Sequence, residues 1–142
     1  MKRHALIVLL LVGCDSHRSL APPEVGLIDF YGDRSLVVSH PSEVQRGLDV
    51  VVTVRTYGNG CVTAAGTGVR YRGNTAIIVP YDNDRSRQGE NFNCPDVLTR
   101  ATHNVSLRFP MEGVATLRIE GRNAPEGRWT VIESTLNVTS LR

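Results

Sequence analysis

The stretch LDVVVTVRT, residues 48–56, decides the fold class predicted for this chain. Every second position on one side is apolar: Leu48, Val50, Val52 and Val54. The opposite side is mostly polar, with Asp49, Thr53 and Arg55 beside Val51. A repeat of two is the side-chain period of a β-strand, because successive side chains point to opposite faces. The stretch therefore predicts a strand that buries one face.

The same alternation occurs twice more, on either side of a Pro- and Gly-containing segment. In the first run the apolar-face positions are His103, Val105, Leu107 and Phe109, and in the second they are Ala115, Leu117 and Ile119. Residues 110–113 lie between the two runs and have the composition of a turn. We expect the two strands to pair with each other as a β-hairpin.

Shorter runs complete the set of predicted strands. They cover residues 27–31, 36–39, 69–71, 75–81 and 129–139. Arg72-Gly73-Asn74 predicts a tight turn, whereas Gly66-Thr67-Gly68 is expected to form a separate turn before it. Pro80 favours an edge strand because proline lacks a backbone donor. Trp129, the only tryptophan, is expected to pack in or over the core.

Seven or eight short strands separated by turns predict an all-β fold, with no helix of credible length after the N-terminal region. An antiparallel β-sandwich is the usual way to bury strands of this kind in about 115 residues. The chain has room for one such domain, which we place at residues 26–142.

Two segments that precede predicted strands carry a family resemblance. Pro41-Ser42-Glu43-Val44-Gln45-Arg46-Gly47 and Phe109-Pro110-Met111-Glu112-Gly113 resemble the strand openings of bacterial immunoglobulin-like domains. The resemblance implies an immunoglobulin-like sandwich. The chain is also similar to small lipoproteins of that build, and this similarity implies no particular activity.

The sequence also departs from true immunoglobulin domains. No tryptophan lies between Cys61 and Cys94, and Phe92 stands where a corner tyrosine is expected. A disulfide between these cysteines is therefore expected to tie loops together, and not to bridge two sheets through the core.

The N-terminus has the three parts of an export signal. A basic segment at residues 1–4 is followed by an apolar run at residues 5–12 and by Gly13. The apolar run is too short to cross a hydrocarbon core of about 30 Å as a helix. It is therefore expected to be a leader and not a transmembrane anchor.

Leu11-Val12-Gly13-Cys14 resembles the lipobox of bacterial lipoproteins. The resemblance implies removal of residues 1–13 as a signal peptide, acylation of Cys14 and attachment to a bacterial membrane, facing the periplasm or the outside. Residues 14–25, which include Pro22-Pro23, are then a lipidated tether. A plain secretory signal followed by an unrelated cysteine remains the alternative, as does a buried apolar segment.

The charge of the chain argues against a nucleic-acid partner. Lys and Arg number 16 and Asp and Glu number 14, and the excess is accounted for by Lys2 and Arg3 in the leader. The remaining chain is formally neutral, whereas nucleic-acid binding needs a clustered basic surface.

Cys61 and Cys94 form an even pair once Cys14 is set aside for lipid. In an exported protein the default expectation is a disulfide between them. The alternative is a catalytic thiol at Cys61 with His40 or His103 as its base. His103 is more simply explained as a hydrogen-bonded histidine at the core or its rim.

The polar loop that starts at Asp82 and runs to residue 93 is the best candidate for a binding surface, although a simple connection is the alternative. It combines residue types suited to contact with a partner: Tyr81, Arg85, Arg87, Asn91 and Phe92. A calcium site is not expected, because Arg87 occupies the position where a calcium loop needs glycine. No cofactor or metal is expected.

Two functions from different classes follow. The first is a membrane-tethered, non-catalytic β-sandwich that binds or scaffolds a protein or glycan of the cell envelope. The second is a small secreted hydrolase or metal-dependent enzyme that uses His103, Cys61 or the loop from residue 82 to Glu90. We expect the first, because no catalytic motif is present at its required spacing.

Overall fold

The computed structural model describes residues 21–35, 37–87 and 93–140. The lipidation site predicted at Cys14 and the candidate binding residues Asn91 and Phe92 lie outside these ranges. Within them the chain is all-β, as predicted, and its helical structure is a single 3-10 turn at Arg85–Arg87. The strands are β1 Glu24–Val25, β2 Leu27–Phe30, β3 Val38–Ser39, β4 Glu43–Gln45, β5 Asp49–Gly58, β6 Val62–Arg72, β7 Thr75–Asp84, β8 Thr99–Arg108, β9 Gly113–Ala124 and β10 Trp129–Thr139.

The strands form one curled, mixed sheet. Its main path is β1-β7-β9-β2-β5-β3, with β6 added to β7, β10 to β9, β4 to β10 and β8 to β5. The expectation of a purely antiparallel arrangement is wrong, because β7 and β2 both run parallel to β9 and β4 runs parallel to β10. The parallel pair β7/β9 arises because β8 leaves to pair with β5 before the chain returns beside β7.

Each of the eight predicted strands overlaps an observed one, and the alternation identified the buried faces. In β5 the side chains of Val50, Val52 and Val54 are buried, whereas Leu48 precedes the strand and is half-exposed. The other apolar-face residues of β8 and β9 are also buried: His103, Val105, Leu107, Ala115, Leu117 and Ile119. Two strands, β1 and β4, were not predicted, because two or three residues are too few to show a period. The turn expected at Gly66-Thr67-Gly68 is wrong, because these residues lie within β6 and pair with β7 just after a register shift between Ala64 and Gly66.

The predicted hairpin between residues 103 and 119 is wrong, although both of its strands exist. β8 pairs with β5, with Val105 opposite Val52, and β9 pairs with β10. Phe109 is fully buried between them, and its carbonyl accepts a hydrogen bond from the Gly47 amide at 3.0 Å. The connection therefore carries the chain across the core to a different part of the sheet.

Pro80 lies in an interior strand, so the edge position predicted for it is also wrong. β7 has β6 on one side and β9 and β1 on the other. The Pro80 carbonyl accepts from the Gly26 amide at 2.9 Å, so the imide nitrogen faces the same side. There the pairing partner of β7 changes: its ladder with β9 ends at Ile78, and its ladder with β1 covers Tyr81 and Asp82. Because Pro80 lies between these two ladders, its missing backbone N–H interrupts neither of them.

Trp129 is 56% exposed at the start of β10, so the expectation that it packs in or over the core is wrong. It lies opposite Arg122 of β9 and follows the turn at residues 125–128. The strand keeps Leu136 and Val138 on its buried face. Because side chains alternate, Trp129 falls on the opposite face.

The molecule has two distinct ends. At one, which we call the disulfide end, β5, β7 and β9 finish and β8 and β10 begin, and the Cys61–Cys94 bond lies there. Residues 21–23 also lie at this end, because β1 is antiparallel to β7 and starts opposite Asp82. The opposite end, the far end, carries the turns at residues 46–48, 73–74 and 109–112.

The reversal from β1 to β2 requires a residue without a side chain at Gly26. A Cβ there would lie 2.4 Å from Thr56 Cγ2 and 2.8 Å from Asp82 Oδ2. We therefore expect Gly26→Ala to lower the free energy of unfolding by about 1–3 kcal/mol, the usual range for overpacking. Gly66→Ala is the matched control, since a Cβ there meets nothing within 4 Å. Chemical denaturation of both variants measures the difference, and equal losses would contradict the steric account.

Candidate functional site

The predicted binding residues that can be located do not form one surface. Tyr81 lies in β7, half-buried, with its ring against Gly68 of β6. Arg85 and Arg87 are exposed on the 3-10 turn at the disulfide end, and Arg87 forms an ion pair with Glu24. Tyr81 therefore belongs to a sheet face and the two arginines to the end of the sheet.

The predicted disulfide is confirmed. Cys61 and Cys94 are bonded, with their Cα atoms 5.4 Å apart and 33 positions apart in the sequence. Both cysteines lie outside strands, so the bond ties two loops together as expected, and the Gly60 amide donates to the Pro95 carbonyl beside it. A bonded sulfur has no thiolate, so Cys61 cannot be the nucleophile of the enzyme hypothesis.

A cleft of about 330 Å³, which we call the end cleft, opens at the disulfide end. Its charged lining residues are Glu24, Asp82, Asp84 and Arg122. Arg122 is fixed in place because its Nε donates to the Val25 carbonyl at 2.7 Å and its Nη2 lies 3.3 Å from Glu24. The cleft thus holds both signs of charge, fixed by neighbouring groups, beside apolar lining residues such as Leu27 and Val62.

A second, apolar cavity of about 310 Å³ adjoins the end cleft, and we call it the side cavity. The two share Leu27, Gly58 and Asn59 as a common wall. The side cavity is also lined by Phe30, Asp96, Val97 and Leu98. The disulfide end therefore presents a recess with charged lining residues next to a more apolar one.

Tyr57 supports the wall of the end cleft. Its ring stacks on Phe30 with centroids 5.5 Å apart, and the Arg100 guanidinium lies 5.2 Å from its centroid. Burial, followed by hydrogen bonding with Asp33, raises the pKa of the Tyr57 phenol. Hydrogen bonds from Ser35 lower the pKa of Asp33, so that carboxylate stays ionised and the phenol stays neutral.

His103 and Asp82 meet behind the end cleft, inside the core. The Nε2 atom of His103 lies 3.0 Å from Asp82 Oδ1 and 3.3 Å from Thr56 Oγ1. Its Nδ1 atom lies 3.2 Å from the Gly66 carbonyl oxygen and 3.5 Å from Thr67 Oγ1. Both side chains of the pair are more than nine-tenths buried. The prediction of a hydrogen-bonded histidine at the core is confirmed.

The arrangement has the order of a catalytic triad without its chemistry. Thr67, His103 and Asp82 contact one another in the order of nucleophile, base and acid. A general base, however, must have a free lone pair on the nitrogen that faces the nucleophile. The Gly66 carbonyl can only accept a hydrogen bond, so the Nδ1 atom that faces it carries a proton. His103 therefore acts as a donor that ties β6 and β7 to β8.

No signal in the sequence identified Asp82 as the partner of His103. The two residues are 21 positions apart, on strands that are not paired with each other. Asp82 was assigned to a polar loop with Asn83 and Asp84, but it lies within β7 and is buried.

The sheet also carries a charged groove, on the face turned away from the core, of about 440 Å³. Glu120, buried in its floor, accepts from Arg70 at 2.8 Å and from Arg118 at 3.0 Å. The hydrogen bond to Glu120 raises the pKa of the Arg118 guanidinium, and Glu133 contributes less. Within the groove, Arg70, Arg118, Glu120 and Glu133 pair with one another.

The far end exposes apolar side chains around a shallow recess of about 290 Å³ lined by Gly47, Tyr71, Gly73, Arg108 and Pro110. We call the exposed apolar residues here the far-end patch: Leu48, Tyr71, Met111 and Val114. Met111 reaches Gly73, and Tyr71 is fixed because its hydroxyl accepts from the Arg108 amide at 3.2 Å. Exposed apolar groups held in place in this way are typical of contact surfaces.

Residues 21–35, 37–87 and 93–140 contain neither a metal-binding cluster nor a membrane-spanning helix. No group of three or more His, Cys, Asp or Glu side chains in this part of the chain could hold a metal ion. Asp84, part of the calcium loop considered above, instead accepts from the amide and the hydroxyl of Ser86. No helix among the described residues is long and apolar enough to span a membrane.

Comparisons with protein-family models, with curated proteins and with solved structures give no significant match to the chain. Its function therefore has to be inferred from its own residues.

Proposed function

We propose that the chain is a lipoprotein of the bacterial cell envelope with a non-catalytic role. Residues 1–13 are a signal peptide, Cys14 carries the acyl chains, and residues 14–25 are the tether. Residues 26–142 form a variant of the immunoglobulin-like sandwich that binds or scaffolds an envelope protein or glycan.

The disulfide is the structural observation that carries this proposal. Export was inferred from the first 14 residues alone, and a bond between Cys61 and Cys94 is what an oxidising compartment favours. The non-catalytic role is supported because the groups that an enzyme would use are already engaged. Cys61 is in the disulfide, and both ring nitrogens of His103 face partners. The sandwich is supported by a core enclosed between β5 and β8 on one side and β7, β9 and β10 on the other.

Mass spectrometry of the mature N-terminus tests the anchor. Wild-type chain made in a bacterial host is expected to begin at Cys14, to carry the added mass of its acyl chains, and to fractionate with membranes. Cys14→Ser is the matched control and is expected to lose the acyl mass and the membrane association. A wild-type chain that begins at Met1 with an unmodified Cys14 would contradict the proposal.

The far-end patch supports the binding role, because it lies at the opposite end from the tether and stays accessible in an anchored protein. A photoreactive amino acid at position 71 of the full chain is expected to give a discrete cross-linked product in intact cells. The same group at Thr135, exposed on β10, is the control and is expected to give none. Equal cross-linking from both positions would argue against a partner at this patch.

A further inference from the structure

We infer that the disulfide end rests on the lipid surface, with Trp129, Tyr31, Val97 and Leu98 in the membrane interface. This inference rests on the proposed acylation of Cys14, and it adds an orientation of the folded body that acylation alone does not determine. The occupant of this end is the bilayer that holds the acyl chains.

The length of the tether limits how far the folded body can lie from the membrane. Ala21 lies seven positions after Cys14, so the two are at most about 25 Å apart even when this segment is fully extended. The 12 residues of β9 run about 40 Å at the usual rise of a strand. Because the tether is shorter than the body, and residues 21–23 lie at the disulfide end, this end is held next to the membrane.

The exposed side chains at this end are of the type found at membrane surfaces. Tyr31 is 68% exposed, Val97 is 60% exposed, and Leu98 is half-exposed at the mouth of the side cavity. Trp129 is exposed where β10 begins. Tryptophan and tyrosine favour the interface because an apolar ring and a polar group are satisfied there together.

Charged groups at the same end suit the headgroup layer. Arg85 and Arg128 are exposed on the turns of the disulfide end, where their guanidinium groups can meet lipid phosphates. The charged groups of the end cleft lie beside the more apolar side cavity, so this end presents both charged and apolar groups, as a membrane interface does. Arg85, assigned to partner binding from the sequence, contacts lipid in this arrangement.

The single tryptophan makes the orientation measurable. The acylated full chain is reconstituted into vesicles of phosphatidylethanolamine and phosphatidylglycerol, and its emission is compared with that of the soluble chain from residue 15 onward. A blue shift is expected, together with a loss of emission when the lipids carry bromine on the upper part of their acyl chains. Both signals report Trp129 alone.

Two variants of the acylated chain separate docking from simple attachment. Val97→Asp combined with Leu98→Asp is expected to abolish the blue shift and the quenching while the protein still floats with the vesicles. Val114→Asp, at the equally exposed position on the far end, is the control and is expected to keep both signals. Circular dichroism checks that each variant remains folded.

Three outcomes would overturn the inference. If wild-type protein floats with the vesicles but its emission equals that of the soluble chain, docking is wrong while the lipoprotein proposal stands. If Val114→Asp removes the signals as fully as the paired variant, the wrong end has been assigned to the membrane. If the mature chain carries no acyl group and does not float, the proposed function fails and the inference falls with it.

Discussion

His103→Ala is expected to lower the free energy of unfolding by about 2–5 kcal/mol, because it removes a large buried side chain and leaves a buried polar group without its partner. The substitution leaves the Asp82 carboxyl group buried without the hydrogen-bond partner that lies 3.0 Å away. It also frees the Gly66 carbonyl, which the His103 ring holds from the other side. Three strands, β6, β7 and β8, lose the side chain that joins them.

Chemical denaturation measures this loss, with His40→Ala as the matched control. His40 also makes two hydrogen bonds, to the Pro41 carbonyl and the Ser134 hydroxyl, but it is only partly buried and faces no carboxylate. Its replacement is expected to cost about 1 kcal/mol. A loss of the same size in both variants would show that the contact between His103 and Asp82 does not contribute more to stability than the hydrogen bonds of His40.

A double replacement separates pairing from packing at this position. His103→Leu with Asp82→Leu removes both polar groups together, and replacing both partners of a buried hydrogen bond by apolar groups can be nearly neutral or stabilising. The double variant is therefore expected to recover most of the stability lost by His103→Ala. If the losses of the two single leucine variants simply add, the residues are not coupled.

Removal of the disulfide is expected to cost about 3–4 kcal/mol by the chain-entropy relation for a loop of this length. Cys61 and Cys94 close a segment of 33 positions that contains β6 and β7. Replacing both by serine allows the unfolded chain more conformations, which favours unfolding. For a small domain this is a large part of the total stability.

Denaturation with and without reductant provides the internal control for the disulfide. Reductant is expected to destabilise the wild-type chain by about as much as the double serine replacement does, and to leave the double variant unchanged. A wild-type chain whose unfolding midpoint does not respond to reductant would contradict the prediction. Hydrogen exchange is expected to show the largest loss of protection at the Gly60 and Val62 amides, which donate to the Pro95 and Asn59 carbonyls beside the bond.

The candidate site shows where prediction from sequence stopped. The residue types that carry chemistry were identified, and His103 was correctly assigned to the core. Its partner was not, because Asp82 lies on another strand and no period or motif links the two positions. The tryptophan was misassigned for a related reason, since alternation names two faces but cannot say which one the end of a strand will expose.

Eight of the ten strands in the described part of the chain could be predicted from the sequence. Alternation in residues 48–56, 103–109 and 115–119 is a local property, because the side-chain period follows from the backbone of each strand alone. The loop-tying disulfide also followed from the sequence, through the compartment implied by the first 14 residues. Both predictions needed only neighbouring residues or residue counts.

Which strands pair, and which side chains meet behind them, depends on the packing of the whole chain. The pairing of β8 with β5, the parallel run of β7 beside β9, and the interior place of Pro80 depend on where the chain crosses the core. That crossing is set by the burial of Phe109 and by the reversal at Gly26, contacts between residues far apart in sequence. Because such contacts form only when the whole chain packs, no local pattern specifies them.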